Sequence, residues 1–260
     1  MVGFNIERAV NFLLTRMYVP INKLFIESTK TGGGKHYISS ANCIAASAVR
    51  PYNMQISNDC IAQIKAIKTR LGKPNIKSYW QPAMHPTVRN IVGVNYAELG
   101  TTEEFWTTMN GHDVVCNISR SGTINCATES YANRAMLHAL YQLQHYASGS
   151  TAIAQACIQR AFKFWDGKGF NDVVGPTHYD SFKTGLGIYC MRFPELRAAV
   201  PNFVVPQNLF DGIQNQSNGG VYGRYYYNSS TNKFYVESTY ENTEATCLCL
   251  MAYSQCFNCV

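Results

Sequence analysis

Residues 22–29 read NKLFIEST and residues 232–239 read NKFYVEST, so one eight-residue segment occurs twice in the chain. The two copies are identical at the Asn, Lys, Glu, Ser and Thr positions, and the positions between them are apolar or aromatic in both. Each copy precedes a helix-like stretch of small residues, one containing Cys43 and the other Cys247. Because a single helical hairpin cannot bury its apolar face alone, this recurrence predicts a stack of repeated hairpins.

The spacing of apolar residues predicts two kinds of helix around these segments. One kind has a polar outer face and covers residues 4–16, 57–71 and 150–165, with a weaker segment at 205–213. The other kind is rich in Ala, Gly, Cys and Ser, is poor in charge, and covers residues 40–49, 131–146, 181–193 and 243–255. Helices that are apolar or small nearly all round belong in the interior, so the alternation predicts outer and inner helices that curve into a ring or horseshoe.

Residues 73–128 interrupt this helical rhythm. They are rich in β-branched and aromatic residues separated by Gly and Asn turns, which is typical of short strands. We expect a β-rich insertion of the kind that often forms a lid or the wall of a cleft.

The C-terminal part of the chain resembles a known class of repeat. The run IQNQSNGGVYGRYYYNSSTNKFYVESTYENTEATCLCLMAY, with Gln214, Gly219, Gly220, Glu244 and Thr246, is similar to the repeat unit of α/α-toroid proteins. The run FWDGKGFNDVVGPTHYDSFKTGLGIYCM has a similar plan. The whole arrangement also resembles uncharacterised secreted toroid proteins from archaea, and the class includes terpene-cyclase repeats and many carbohydrate-active enzymes.

This resemblance implies a mainly α fold, an incomplete α/α toroid of about four helical hairpins. It also implies a single domain over residues 1–260, with the β-rich insertion at about 73–128. In such a fold the N-termini of the inner helices converge on a pocket, where helix dipoles and first-turn side chains gather.

Composition excludes several classes of protein. Apolar residues make up 46% and charged residues 15%, which predicts a folded globular chain. The 22 Lys and Arg against 16 Asp and Glu give a net charge of +6, too modest for a nucleic-acid-binding surface. We also expect no membrane span and see no signal peptide, while the low charge and many Tyr, Asn, Ser and Thr favour an extracellular, oxidising setting.

The chain has ten cysteines, and few of them show the spacing of a metal site. Cys256 and Cys259 form a C-x2-C pair with no matching second pair, so we expect no structural zinc. The run VVCNISRSGTINC predicts a hairpin that would pair Cys116 with Cys126. Six others lie in helical stretches, where a thiol behaves as a small buried hydrophobe: Cys43, Cys60, Cys157, Cys190, Cys247 and Cys249.

Polar residues open every predicted inner helix, and they supply the candidate site. The candidate catalytic acids are Asp180, Glu241, Glu244 and Glu129. The candidate substrate-binding residues are Tyr131, Arg134, His178, Tyr179, Lys183, Tyr240 and Asn242. Each one has an alternative role as a helix cap or a first-turn acid favoured by the helix dipole. Several such clusters at one end of a ring would combine acids with aromatic rings, as sugar-binding sites do.

Three functions fit these residues. A glycoside hydrolase needs one protonated and one ionised carboxyl. A polysaccharide lyase needs a cation for the substrate carboxylate and a Tyr or His to move protons, which Arg134 with Tyr141, or His178 with Tyr179, would supply. The third is a non-catalytic carbohydrate-binding or self-assembling structural protein. We expect a carbohydrate-active enzyme that acts on a polysaccharide without a metal or cofactor, whereas a structural protein would fill the cleft with Tyr and Met side chains.

Overall fold

A computed structural model describes residues 3–30, 36–72, 80–92, 99–121, 124–145, 151–172 and 178–254. Helices occur in each segment where the apolar spacing predicts one, but two further helices were not predicted, and one of these, Pro86–Val92, lies within residues 73–128, where short strands were expected. Ten α-helices lie within the described residues: α1 Ile6–Phe12, α2 Ser39–Val49, α3 Met54–Arg70, α4 Pro86–Val92, α5 Ala132–His145, α6 Thr151–Phe162, α7 Ser181–Cys190, α8 Pro194–Ala199, α9 Leu209–Ile213 and α10 Thr243–Tyr253. A π-helical turn, Leu13–Met17, continues α1, and a 3-10 turn, Gln81–Ala83, precedes α4.

The small-residue helices form the interior. Nine of the ten residues of α7 and nine of the eleven residues of α10 are buried. The two helices pack so closely that a Cβ added to Gly185 would lie 2.9 Å from the backbone nitrogen of Cys249. Glycine at this position therefore sets the distance between the two helices, and α2 packs against α10 on another side.

Eight strands form three separate sheets within the described residues. The first sheet pairs β1 Tyr18–Val19 with β2 Leu24–Phe25. The second has the order β3-β5-β4, from β3 Tyr37–Ile38, β4 Leu99–Met109 and β5 His112–Ser121. The third has the order β6-β7-β8, from β6 Tyr179–Asp180, β7 Arg224–Asn228 and β8 Lys233–Val236.

The fold is mixed α and β, about 50% helix and 17% strand, so the predicted mainly α toroid with a small β-rich insertion is wrong. The repeated segment at 232–239 does not merely connect two helices, because its first half forms β8 and pairs with β7. The strands β4 and β5 do lie inside residues 73–128. However, β5 also pairs in parallel with β3, Tyr37 opposite Val114, which joins this region to the start of α2.

The predicted Cys116–Cys126 disulfide is also wrong. Cys116 lies on β5 opposite Phe105 of the preceding strand. The hairpin turn therefore comes before Cys116 in the sequence, whereas the predicted turn comes after it. Cys116 is a buried free thiol, and Cys126 instead bonds Cys157 of α6, with 4.9 Å between their Cα atoms. The other five helical cysteines are buried and free as predicted, and Cys256 and Cys259 lie outside the described residues.

Residues from the two ends of the described chain interlock. The backbone nitrogen of Asn5 donates to the side-chain oxygen of Gln214 at 2.8 Å, and Gln214 donates back to the carbonyl oxygen of Asn5 at 3.0 Å. Ser28 forms an antiparallel bridge with Asn242, just before α10. Segment 24–29 is thereby fixed beside the N-terminus of α10, which brings two distant parts of the sequence to one place.

Candidate active site

A cavity of about 480 Å³ opens where the N-termini of α7 and α10 meet segment 27–30 and the start of β7. Short strands fix the position of the start of α7, because β6 leads directly into α7 and pairs with β7. Three carboxyl groups and three basic groups share its wall, together with two aromatic rings and backbone: Glu27, Asp180, Glu244, Lys30, His36, Arg224, Phe182 and Tyr240. The open volume contrasts with the filled cleft expected of a purely structural protein.

Glu244 lies in the first turn of α10 and is partly buried. Its carboxyl group accepts no hydrogen bond from any residue that the structure describes. Burial raises the pKa of Glu244 to about 8, and the negative charges of Glu27 and Asp180 raise it further in the same direction. Glu244 is therefore a protonated acid at neutral pH, facing an open cavity.

Asp180 immediately precedes α7 and is held by two cations. Its Oδ2 lies 3.0 Å from Lys183 Nζ, and its Oδ1 lies 3.2 Å from Arg224 Nε. Lys183 also lies 2.6 Å from Asp172, whose other oxygen accepts a hydrogen bond from the backbone nitrogen of Ala132. These contacts hold the Asp180 side chain in a fixed position beside the protonated Glu244.

Glu27 is the acid of this cavity that the sequence analysis missed. Burial raises the pKa of Glu27, while His36 and Lys30 lower it and so offset part of the effect. A signal for Glu27 was present in the sequence, since it occupies the same position of the repeated segment as Glu237. The helix pattern gives no sign of Glu27, because this residue lies just after strand β2, outside every predicted inner helix.

Glu241 has a different environment from Glu244. Its Oε2 accepts a hydrogen bond from the Thr29 hydroxyl, and its Oε1 accepts from the side-chain amides of Asn215 and Asn218. Burial alone would raise the pKa of Glu241, but the hydrogen bonds from these three residues outweigh burial and lower it. Glu241 thus fastens segment 215–218 to segment 24–29 and stays outside the cavity wall.

The acid predicted at the start of α5 lies outside this cavity as well. Glu129 Oε1 accepts hydrogen bonds from the backbone nitrogens of Ser130 and Tyr131, and its Oε2 lies 3.1 Å from Arg134 Nε. The Arg134 guanidinium lies over the Tyr131 ring, 5.6 Å from its centre. Glu129, Tyr131 and Arg134 therefore form one local cluster that caps α5.

The candidate binding residues near α7 contact other parts of the protein. His178 Nδ1 lies 3.5 Å from Glu237, and the Tyr179 hydroxyl donates to Asp166 at 2.6 Å. Burial and the neighbouring Asp166 raise the pKa of Tyr179, so the hydroxyl keeps its proton. Lys183 does not line the cavity, but it forms an ion pair with Asp180, which does.

Tyr240 and Asn242 do line the cavity. The Tyr240 ring lies 5.8 Å from Lys30 Nζ, and the Asn242 side chain caps α10 by accepting from the backbone nitrogen of Ala245 at 2.9 Å. Asp180, Glu244, Tyr240 and Asn242 are thus the predicted site residues that share one space. The sequence predicts these four because Asp180 directly precedes α7 and the other three lie at or just before the start of α10.

No protein-family model, no curated protein and no solved structure matches the chain. Across the described residues, no helix combines the length and apolar character needed to cross a bilayer. The chemistry of the cavity is therefore the basis for any inference about function.

Proposed function

We propose that this protein is a glycoside hydrolase that cleaves a polysaccharide in the cavity between α7, α10 and segment 27–30. The observation that carries this proposal is one cavity that holds Glu244, whose pKa of about 8 keeps it protonated at neutral pH, together with a second acid, Glu27. Hydrolysis of a glycosidic bond needs a pair of carboxyl groups, one of which donates a proton to the leaving oxygen.

The contacts favour distinct roles for the three acids. Glu244 is the general acid, because it holds a proton at neutral pH and has no protein partner within the described residues to compete for it. Glu27 is the base or nucleophile, since its carboxylate faces the cavity beside His36 and Lys30. Asp180 has both oxygens engaged by cations, so it positions Arg224 and keeps Glu244 protonated through its charge.

The remaining wall suits a sugar chain. Tyr240 and Phe182 offer ring faces on which a pyranose can stack, and Lys30 and Arg224 offer donors for hydroxyl or carboxylate groups. A cavity of about 480 Å³ falls within the range of small-molecule sites and has room for a short stretch of a polymer.

The two other candidate functions have less support. The lyase pairs, Arg134 with Tyr141 and His178 with Tyr179, are absent from the cavity wall. A purely structural role would leave the raised pKa of Glu244 without a purpose, because a buried acid with no partner costs folding free energy. A non-catalytic sugar-binding protein needs the aromatic rings of this cavity but not its protonated acid.

The test is a screen of neutral and acidic polysaccharides for two products: new reducing ends, and unsaturated ends that absorb in the ultraviolet. We expect reducing ends alone, at a rate that falls as the pH rises through about 8, where Glu244 loses its proton. Glu244→Gln keeps the shape of the protonated acid but cannot donate, so it should lower the rate by at least about 100-fold. Glu195→Gln, on the exposed face of α8, is the matched control and should leave the rate unchanged.

Three other outcomes would contradict this proposal or part of it. Unsaturated ends would show a lyase, and binding of a polymer without any cleavage would show a sugar-binding protein. Cleavage that Glu244→Gln leaves intact would mean that the acid has been assigned to the wrong residue.

A further inference from the structure

Three potential metal ligands meet outside the cavity, between α5 and α6. His138 is on α5, Cys157 is on α6, and Cys126 is in the turn that precedes α5. A ring nitrogen of His138 and the two sulfur atoms all lie within 4.8 Å of one another. His138 is 4% exposed and Cys157 is fully buried, whereas Cys126 is partly exposed.

The disulfide between Cys126 and Cys157 does not account for the histidine beside it. A disulfide needs no polar neighbour, and burying an imidazole costs free energy unless the ring is hydrogen-bonded. Gln142, one turn further along α5, lies 3.0 Å from His138 Nε2 and holds the ring in place. With the Gln142 amide turned so that its carbonyl oxygen faces Nε2, the Nε2–H would donate to that oxygen and Nδ1 would be left to bind a metal, which is how an acceptor commonly orients a metal-bound histidine.

We propose that reduction of this disulfide creates a binding site for a thiophilic divalent cation, Zn²⁺, formed by Cys126, His138 and Cys157. A dithiol reductant exchanges with the disulfide, is itself oxidised to a disulfide, and leaves two cysteine thiols. Zn²⁺ then displaces one proton from each thiol and binds two thiolates and the neutral imidazole. The site has no net charge, which suits a place where most of the ligands are buried.

The geometry needs only small movements. Zinc bonds of about 2.3 Å to sulfur and about 2.1 Å to nitrogen place the tetrahedral ligand atoms of this site about 3.6–3.8 Å apart. Cys126 lies in a turn rather than a helix, so its sulfur can move away from Cys157 while α5 and α6 stay packed. Because Cys126 is partly exposed, the fourth coordination position is open to water or to an exogenous ligand.

Cobalt(II) is the probe for this site, because it replaces zinc and reports thiolate ligands by its absorption. The protein for the experiment carries Cys256→Ser and Cys259→Ser, so that the C-terminal pair cannot supply ligands. It is reduced with dithiothreitol, desalted without oxygen and titrated with Co²⁺, and the oxidised protein is titrated in parallel. We expect one equivalent of Co²⁺ with thiolate charge-transfer and tetrahedral d–d bands in the reduced protein, displaced by Zn²⁺, and none in the oxidised protein.

His138→Gln, in the same background, tests the third ligand and should lower the affinity for Co²⁺ by at least about tenfold and shift the d–d bands. Cys43→Ala, at a buried free thiol elsewhere, is the matched control and should leave the spectrum unchanged. Equal binding by oxidised and reduced protein would overturn the proposal, as would the absence of cobalt bands after reduction. A spectrum that His138→Gln leaves unchanged would overturn the role of the histidine. The comparison of oxidised with reduced protein uses one and the same protein, so it does not depend on whether His138→Gln folds.

Discussion

Glu244 shows how a single side chain links stability to the proposed chemistry. In the folded protein its pKa is about 8, against an ordinary value of 4.5. Between these two pH values the folded chain binds a proton that the unfolded chain has released. The free energy of unfolding therefore falls as the pH rises through this window, and the loss is complete above about pH 8.

Glu244→Gln removes this dependence, because the amide stays neutral in both states. We expect the variant to gain stability relative to the wild type as the pH rises from 5 to 8, which urea denaturation of both proteins at several pH values would measure. Glu195→Gln alters an exposed carboxyl and should show a constant difference. A constant difference for Glu244→Gln as well would mean that Glu244 is ionised in the folded protein at neutral pH.

At the scale of the elements, the contact between α7 and α10 depends on one glycine. A Cβ at position 185 would lie 2.9 Å from the backbone nitrogen of Cys249, and backbone in a buried helix cannot move aside cheaply. In an exposed helix, Gly→Ala stabilises by about 1 kcal/mol. We expect Gly185→Ala to destabilise by about 1–3 kcal/mol instead, as measured by urea denaturation. The sign of the effect is the test, since a stabilised variant would show that the two helices lie further apart.

The elements also show which parts of the structure could be predicted from the sequence. The longer helices were predictable because they carry a run of apolar or small residues, as in α2 and α10, whereas the short helices α4 and α8 carry no such run and were not predicted. The strands β1, β2, β3 and β6 contain two residues each, which is too short for an alternating pattern. The pairing of β3 with β5 depends on residues far apart in sequence, so local patterns do not encode it. For the same reason the helix-based search identified Asp180 and Glu244 but not Glu27.

At the scale of the whole molecule, the disulfide ties α6 to the turn before α5. Cys126 and Cys157 are 31 residues apart, and a loop of this length contributes about 3–4 kcal/mol by restricting the unfolded chain. We expect reduction, with a chelator present, to lower the free energy of unfolding by that amount. The double variant Cys126→Ser, Cys157→Ser is the control and should not respond to reductant. Equal stability of the oxidised and reduced wild type would contradict the expected effect of this cross-link.

Because Asn5 near the start of the chain binds Gln214, the fold cannot be completed until the later residue has been synthesised. Asn5 and Gln214 are 209 residues apart, and at about 5–20 residues per second a ribosome needs roughly 10–40 seconds to make that interval. During this time Gly220, which packs against the buried Phe12, has not been made, and segment 24–29 has no α10 to lie against. The cavity is therefore one of the last features to form during synthesis, because it cannot be completed until residues 214–246 emerge.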